Sequence, residues 1–245
     1  MRKTVLLTGA SAGIGAATAR LLAHNNYDVA IAYHSDKAGA ESVAHDVTQA
    51  GGQAYVFQAD VGEPDAIDAL FEALDAQFPR LDALVNNAGI VDAASTVADL
   101  GADRIQRMMA VNVTGAILVA RNAVRRMIPQ QSGAIVNMSS AAARLGSANQ
   151  YVDYAASKGA TDVFTKGLSD EVAPHGIRVN AIRPGIIETD IHAKGGQPDR
   201  AARLGPTCPM GRSGSALEVA QTVLWLLSDQ SSYVTGAFID VSGGR

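Results

Sequence analysis

Only one cysteine, Cys208, occurs in the 245 residues, which excludes an intrachain disulfide framework and fits a reducing, cytoplasmic compartment. Aromatic residues are scarce at 5%, and charged residues reach 18% against the ~25% usual in soluble domains. Basic residues are not in excess: 20 Lys and Arg stand against 24 Asp and Glu, a net charge of −4. A chain so balanced lacks the dense positive patch that unaided binding to nucleic acid or an anionic membrane requires. No apolar run approaches the ~18 residues of a membrane span. The apolar stretch that opens the chain stops at Thr8-Gly9, short of the ~7–15 residues of a signal-peptide core, and reads as a buried first strand. None of the five histidines stands at metal-ligand spacing beside Cys or carboxylate ligands, so no metal site is expected.

What is present is an apolar fraction of 47%, enough for a large core, and 24 glycines. That glycine count exceeds the usual ~7% and asks where the backbone turns tightly or meets a ligand closely. Composition is even from end to end, with no repeat or linker, so one domain over residues 1–245 is expected. Short runs rich in Val and Ile predict buried strands at Thr4–Thr8, Val29–Tyr33, Gln53–Gln58, Ala83–Asn86, Ala134–Met138, Arg178–Ile182 and Ala237–Val241. Helical periodicity predicts Ile14–His24, Lys37–Ala50, Pro64–Phe78, a long helix within Ala102–Ile128, Asp153–Ala173 and Ala216–Leu227. This alternation implies an α/β fold, a doubly wound, Rossmann-type domain whose parallel sheet carries helices on both faces. Ligands of such sheets bind outside the carboxyl ends of the strands.

Three loops after strands carry chemistry. Gly9, Ser11, Gly13, Ile14 and Gly15 form a glycine-rich turn between the first strand and its helix, where backbone N–H groups and the helix dipole suit a phosphate; a plain tight turn is the other reading. The second strand runs out into Tyr33, His34 and Ser35 with no acid at its end. An acid there favours NAD by holding the ribose 2′-hydroxyl, so its absence favours NADP(H) over NAD(H). Ala12, where a basic residue would strengthen that case, and the nearby Asp36 weigh the other way. Tyr154 and Lys158 stand four apart on a helix and so share a face. An ammonium beside a phenol lowers its pKa from the ordinary ~10, which would let Tyr154 act as a general acid and base. Tyr33 and Lys37 have the same spacing in a loop and read as coincidence, and Tyr151 has no lysine four residues on. The fifth strand ends in Ser139-Ser140, where a hydroxyl can reach a substrate oxygen.

Together these residues resemble the short-chain dehydrogenase/reductase family. The resemblance covers nearly the whole chain: Thr8-Gly9-x3-Gly13-x-Gly15, Asp60-Val61, Asn86-Asn87-Ala88-Gly89, Asn112, Ser140, Tyr154-x3-Lys158, Pro184-Gly185 and a tail from Val234 to Gly244. It implies a seven-stranded parallel sheet and reversible hydride transfer between a nicotinamide dinucleotide and a small ketone or secondary alcohol. Tyr154 would be the acid/base, Lys158 would tune it and hold the nicotinamide ribose, Ser140 would orient the carbonyl, and Asn112 would hold a relay water. Asp60 and Val61 would meet adenine. Asn87, Ala88 and Gly89 would line the cofactor cleft, and Pro184, Gly185, Ile187 and Thr189 would lie beside nicotinamide. The family commonly forms homotetramers through the long middle helix, the Tyr154 helix and the carboxyl-terminal segment.

One departure stands out: thirteen residues separate Ser140 from Tyr154 where the family commonly has twelve. Counting from the strand selects Ser140, with Ser139 as the alternative, and puts the extra residue in the loop Arg144–Asp153. His192 lies in a Gly-rich stretch that the resemblance implies is a lid, either touching substrate or on the surface. Members similar in texture include 3-oxoacyl-carrier-protein reductase and glucose 1-dehydrogenase enzymes. The first would want a basic docking patch, for which Arg121, Arg125 and Arg126 are candidates, unless they form a solvated face. A non-catalytic dinucleotide sensor is the alternative from another class.

Overall fold

A computed structural model describes residues 2–245. Seven strands, β1 (Lys3–Thr8), β2 (Tyr27–Tyr33), β3 (Ala54–Gln58), β4 (Ala83–Asn86), β5 (Gly133–Met138), β6 (Ile177–Pro184) and β7 (Phe238–Val241), form one sheet. Every neighbouring pair is parallel, in the order β3-β2-β1-β4-β5-β6-β7. The order reverses between β1 and β4, which opens a crevice at their carboxyl ends. Around the sheet run α1 (Gly13–Ala23), α2 (Lys37–Gln49), α3 (Pro64–Gln77), α4 (Ala102–Met109), α5 (Ala116–Gln130), α6 (Ala142–Leu145), α7 (Val152–Val172), α8 (Ile191–Lys194), α9 (Arg200–Leu204) and α10 (Ala216–Leu227).

The central strands read as unbroken apolar runs because helices cover both faces. Val5, Leu7, Val29, Ile31 and Val136 pack toward α1 and α10. Leu6, Ala30, Leu84, Ile135 and Val179 pack with Phe71, Val119 and Met127 on the other face. Helix starts follow local chemistry. Asp36 caps α2 by accepting from the Gly39 N–H at 2.9 Å, and Ser215 and Glu218 form a reciprocal capping box on α10. Pro64 opens α3, where its missing N–H costs nothing.

The long helix expected within Ala102–Ile128 is interrupted. Residues Ala110–Gly115 make a π-helical turn between α4 and α5. The break is held by Asn112, whose Oδ1 accepts from the Ile90 N–H at 2.8 Å while its Nδ2 donates to the Ile90 carbonyl at 3.0 Å. Such side-chain bonding lies outside the reach of periodicity.

Candidate active site

Three adjoining cavities run along the carboxyl edge of the sheet. The first, about 1160 Å³, is lined by the turn after β1, by Tyr33, His34 and Ser35 after β2, by Asp60 and Val61 after β3, and by Asn87, Ala88 and Gly89 after β4. The second holds Ser140, Tyr154, Lys158, Pro184, Ile187 and Thr189. The third, about 630 Å³, begins at Ser140 and Tyr154 and continues past Gly185 under α8 and α9. Tyr154 and Ser140 therefore stand where the second cavity meets the third.

The turn after β1 is built for close approach. Gly9 and Gly13 have φ of +64° and +56°, a conformation that suits glycine. A Cβ on Gly9 would lie 2.9 Å from the Ala88 Cα, so the β1 and β4 loops meet only because it is absent. Gly15 lines none of these cavities; it sits beneath the turn, where a Cβ would meet the Ala10 Cα at 2.8 Å. Ala12, the residue before α1, offers no side-chain cap, so the first N–H groups of an eleven-residue helix face the cavity unused. Free N–H donors, a positive helix end and a long cleft fit a dinucleotide with its pyrophosphate at the α1 terminus. Thr8 and Asn87 brace the arrangement: Thr8 Oγ1 accepts from the N–H groups of Asn87 and Ala88, and Asn87 Nδ2 donates to the carbonyls of Thr8 and Gly9.

Beyond β2, Asp36 is occupied as the α2 cap. Lys37 stands 3.5 Å from Glu41, which leaves His34 and Ser35 as the side chains at that end of the cleft. Asp60 is held by Arg107 at 2.7 Å with His34 at 3.5 Å. Burial raises its pKa, but the Arg107 hydrogen bond, the Gly62 N–H and the charges of Arg107 and His34 outweigh this and hold the carboxyl below its usual range.

On α7, Lys158 lies one turn after Tyr154, and its Nζ is 5.6 Å from the Tyr154 ring centre. Nζ also donates to the Met138 carbonyl at the end of β5, at 2.7 Å. Burial draws Lys158 from its usual 10.5 down to about 8, partly offset by Asp162. Burial pushes the Tyr154 phenol up, and the nearby Ser140 hydroxyl works against that. The direction is opposite to the one expected from the sequence. The Lys158 Nζ is turned toward the Met138 carbonyl, and desolvation of the phenolate is the larger effect on Tyr154.

The two serines part company. Ser139 is 2% exposed, and its hydroxyl donates to the Lys158 carbonyl at 3.3 Å. Ser140 faces Tyr154, and its Oγ accepts from the Ala142 N–H at 3.1 Å. The Asn112 side chain is 1% exposed and engaged with Ile90 and with Ser157 Oγ at 3.1 Å. A position for Cβ on Gly89 lies 3.3 Å from Asn112 Oδ1 and 3.4 Å from Lys158 Nζ, so both side chains reach the Gly89 backbone. Thr189 touches the phosphate turn, 3.4 Å from the corresponding position on Gly13. Within the loop between Ser140 and Tyr154, Gly146, Ser147 and Asn149 all have positive φ.

Some cleft residues emerge only in three dimensions, and two that the sequence brought up, Tyr151 and His192, line the third cavity. Tyr151 is buried, accepts from Gln197 Nε2 at 2.6 Å, and lines the third cavity with Val91, Leu145, Ile191, Arg200 and Arg245. His192 lines it too, with Nε2 2.9 Å from the Ile187 carbonyl, and burial lowers its pKa. The arginines suspected of forming a docking patch are partly neutralised: Arg121 pairs with Asp68 and Arg126 with Asp75, both on α3.

A family model described as Enoyl-(Acyl carrier protein) reductase matches residues 9–245. The chain is 54% identical over 243 residues to the uncharacterized oxidoreductase YgfF of Escherichia coli, covering 98% of each. It is 41% identical to 3beta-hydroxysteroid dehydrogenase 1 of Eggerthella lenta, covering 99% of this chain and 93% of the relative. A crystal structure of a short-chain type dehydrogenase/reductase from Mycobacterium marinum superposes with a TM-score of 0.92 at 36% identity, covering 99% of this chain and 94% of the other.

Proposed function

We infer the reaction from the family to which the chain belongs, the short-chain dehydrogenases/reductases, oxidoreductases of alcohol and keto groups that use a nicotinamide dinucleotide. From that premise we propose that it interconverts a ketone and a secondary alcohol with NADP(H), using Tyr154, Ser140, Lys158 and Asn112. The observation that carries this reading is that Ser140 and Tyr154 stand where the second cavity, which shares Ile14, Asn87, Gly89 and Thr189 with the long cleft, meets the third. When bound, the dinucleotide supplies or accepts the hydride. Ser140 donates a hydrogen bond to the substrate oxygen, and Tyr154, kept protonated by burial, gives that oxygen its proton. Lys158, at about 8, exchanges protons near neutral pH and refills the phenol. Asn112 ties the π-helical turn to the β4 loop, so the lysine and Gly89 keep their places.

The cofactor preference rests on β2. The strand itself ends without an acid, Asp36 uses one oxygen to cap α2, and His34 and Ser35 offer donors to a 2′-phosphate. The substrate is a small molecule with an apolar body, which the walls Val91, Leu145, Ile186 and Ile191 and the steroid named in the Eggerthella relative both support. An acyl-carrier substrate stays the alternative: Arg121 and Arg126 are paired within the chain, but among the described residues the exposed Arg125 makes no salt bridge. We also place the protein as one domain in the cytoplasm, with Cys208 buried, and as a homotetramer.

The test is NADPH and NADH oxidation by wild type and Tyr154→Phe on a panel of ketones, sugars and acyl thioesters. Loss of the phenol is expected to lower kcat by about 10²–10⁴-fold with dinucleotide binding retained. Unchanged turnover would remove Tyr154 from the mechanism, and better use of NADH would overturn the cofactor preference.

A further inference from the structure

We propose that the third cavity is an anion site: the molecule that reacts at Tyr154 carries a carboxylate, separated from the reacting oxygen by an apolar body and held by Arg200. The proposal rests on the reading of Tyr154 just given and adds the chemical class of the substrate.

The lining of this cavity contains Arg200, Arg245 and His192 and no Asp or Glu. Arg200 is half-buried on α9, with its guanidinium 5.1 Å from the centre of the Tyr151 ring. Its Nη1 donates to Gln150 Oε1 at 2.7 Å and to Gln197 Oε1 at 3.2 Å. Both acceptors are neutral. Gln197 in turn donates to the Tyr151 hydroxyl, so the amides and the ring fix the orientation of the guanidinium without neutralising it.

Arginines nearby are treated differently. Arg203 pairs with Asp199, Arg144 with Asp240 and Arg212 with Glu218. Among the described residues Arg200 makes no salt bridge, and its Nε and Nη2 have no acceptor. Burial works against its charge, as does repulsion from Arg245 and Arg203, while Tyr151 offsets part of this. A partly desolvated guanidinium with an unused pair of donors is the complement of a carboxylate, which accepts two parallel hydrogen bonds.

The geometry also sets the length of the substrate. Tyr151 and Tyr154 are about one helical turn apart, and Arg200 lies over Tyr151. The carboxylate is therefore held on the Tyr151 side of the cavity and the reacting oxygen on the Tyr154 side. An oxo or hydroxy acid with several carbons between the two groups spans the distance, and those carbons meet Val91, Leu145, Ile186 and Ile191.

Calorimetric titration of cyclohexanecarboxylate and cyclohexanecarboxamide into protein saturated with NADP⁺, and separately with NAD⁺, tests this. The acid is expected to bind at least ten-fold more tightly than the amide, to weaken with added NaCl while the amide does not, and to lose its advantage in Arg200→Gln. Arg200→Lys keeps the charge and is expected to retain part of the preference, which covers the case in which the glutamine variant does not fold. Equal binding of acid and amide to wild type, or an undiminished preference in folded Arg200→Gln, would overturn the anion site. Reduction of neutral 4-methylcyclohexanone by wild type separates the two failures. Turnover without acid preference sinks the anion site alone, whereas acid preference with no ketone reduced by any arm upholds the site and sinks the reading of Tyr154.

Discussion

Tyr154 and Lys158 show what a buried acid–base pair costs the fold. At neutral pH the site must hold a phenol, which it does cheaply, and an ammonium, which it does not. Taking Lys158 from its usual 10.5 to about 8 corresponds to ~3 kcal/mol of penalty for the charged form. Because the folded value is depressed, the native state sheds its proton between pH 8 and 10.5 while the unfolded chain keeps it. Stability from this group therefore rises with pH across that window. Tyr27, pushed up to about 12 by burial and by the charges of Asp229 and Asp82, pulls the other way above about pH 10, where unfolded phenols ionise. Lys158→Met removes the penalty but leaves the Met138 carbonyl without its donor, a loss of ~1 kcal/mol. We expect that variant to be inactive and more stable than wild type by about 1–2 kcal/mol at pH 7, with the gap closing by pH 10. Urea unfolding of both proteins at the two pH values checks it; a variant less stable at pH 7 would contradict the desolvation argument. Helical spacing puts Tyr154 and Lys158 on one face, but Tyr33 and Lys37 share that spacing, and it was the strand ending in Ser139-Ser140 upstream that set the first pair apart. Ser140 needed the strand end before it. Arg200 was not legible, since a loop 46 residues beyond Tyr154 delivers it to the cleft, and its lack of an ion-pair partner appears only in three dimensions.

At the scale of elements, the start of α7 is tied to α4 by one ion pair. Asp153, next to Tyr154 and 2% exposed in its side chain, is gripped by Arg104 at 2.7 and 3.1 Å. Arg104 also donates to the Ala93 carbonyl. Burial raises the Asp153 pKa, but the Arg104 hydrogen bond, backbone N–H groups and the Arg104 charge outweigh it, so the carboxyl lies below its usual range. That stability is present above the unfolded carboxyl value near ~4 and is lost as pH falls through the lower folded one. Arg104→Met leaves a buried carboxylate unpaired, and a loss of ~3 kcal/mol is expected at pH 7, with acid unfolding moved to higher pH. Denaturant curves and an acid titration followed by circular dichroism measure both; an unchanged midpoint would mean that the Asp153 carboxylate, left alone, regains water and incurs no desolvation penalty. The strands were read from sequence to within about two residues because a parallel sheet buries both faces and leaves unbroken Val and Ile runs. The π-helical turn at Ala110–Gly115 was not, because it depends on Asn112 reaching a loop 22 residues earlier.

At the scale of the whole molecule, α7 has two faces with different tasks. One carries Lys158, Thr161, Thr165 and Ser169 into the protein. The other carries Ala156, Gly159, Val163 and Gly167, and Val163 is 76% exposed. Glycine inside a helix costs about 1 kcal/mol against alanine, yet a Cβ at Gly159 or Gly167 would meet nothing within 4 Å in this chain. Intrachain packing gives no reason for either glycine. Close approach by α7 of a second copy supplies one, since small residues let two helices pack at short axial distance, and Ile117 on α5, 38% exposed, adds apolar surface to the area available. Such pairing would brace the helix that holds Tyr154 from the side away from the cleft, which links assembly to the precision of the site. In light-scattering chromatography, wild type is expected at about four times the 25.3 kDa chain mass. Val163→Arg puts a charge at the centre of the α7 contact and is expected to halve that mass and lower turnover, while the segment around β7 still holds pairs together. A wild-type protein running at the mass of one chain, or a Val163→Arg protein with unchanged mass, would show that the open glycines of α7 serve no partner of this kind.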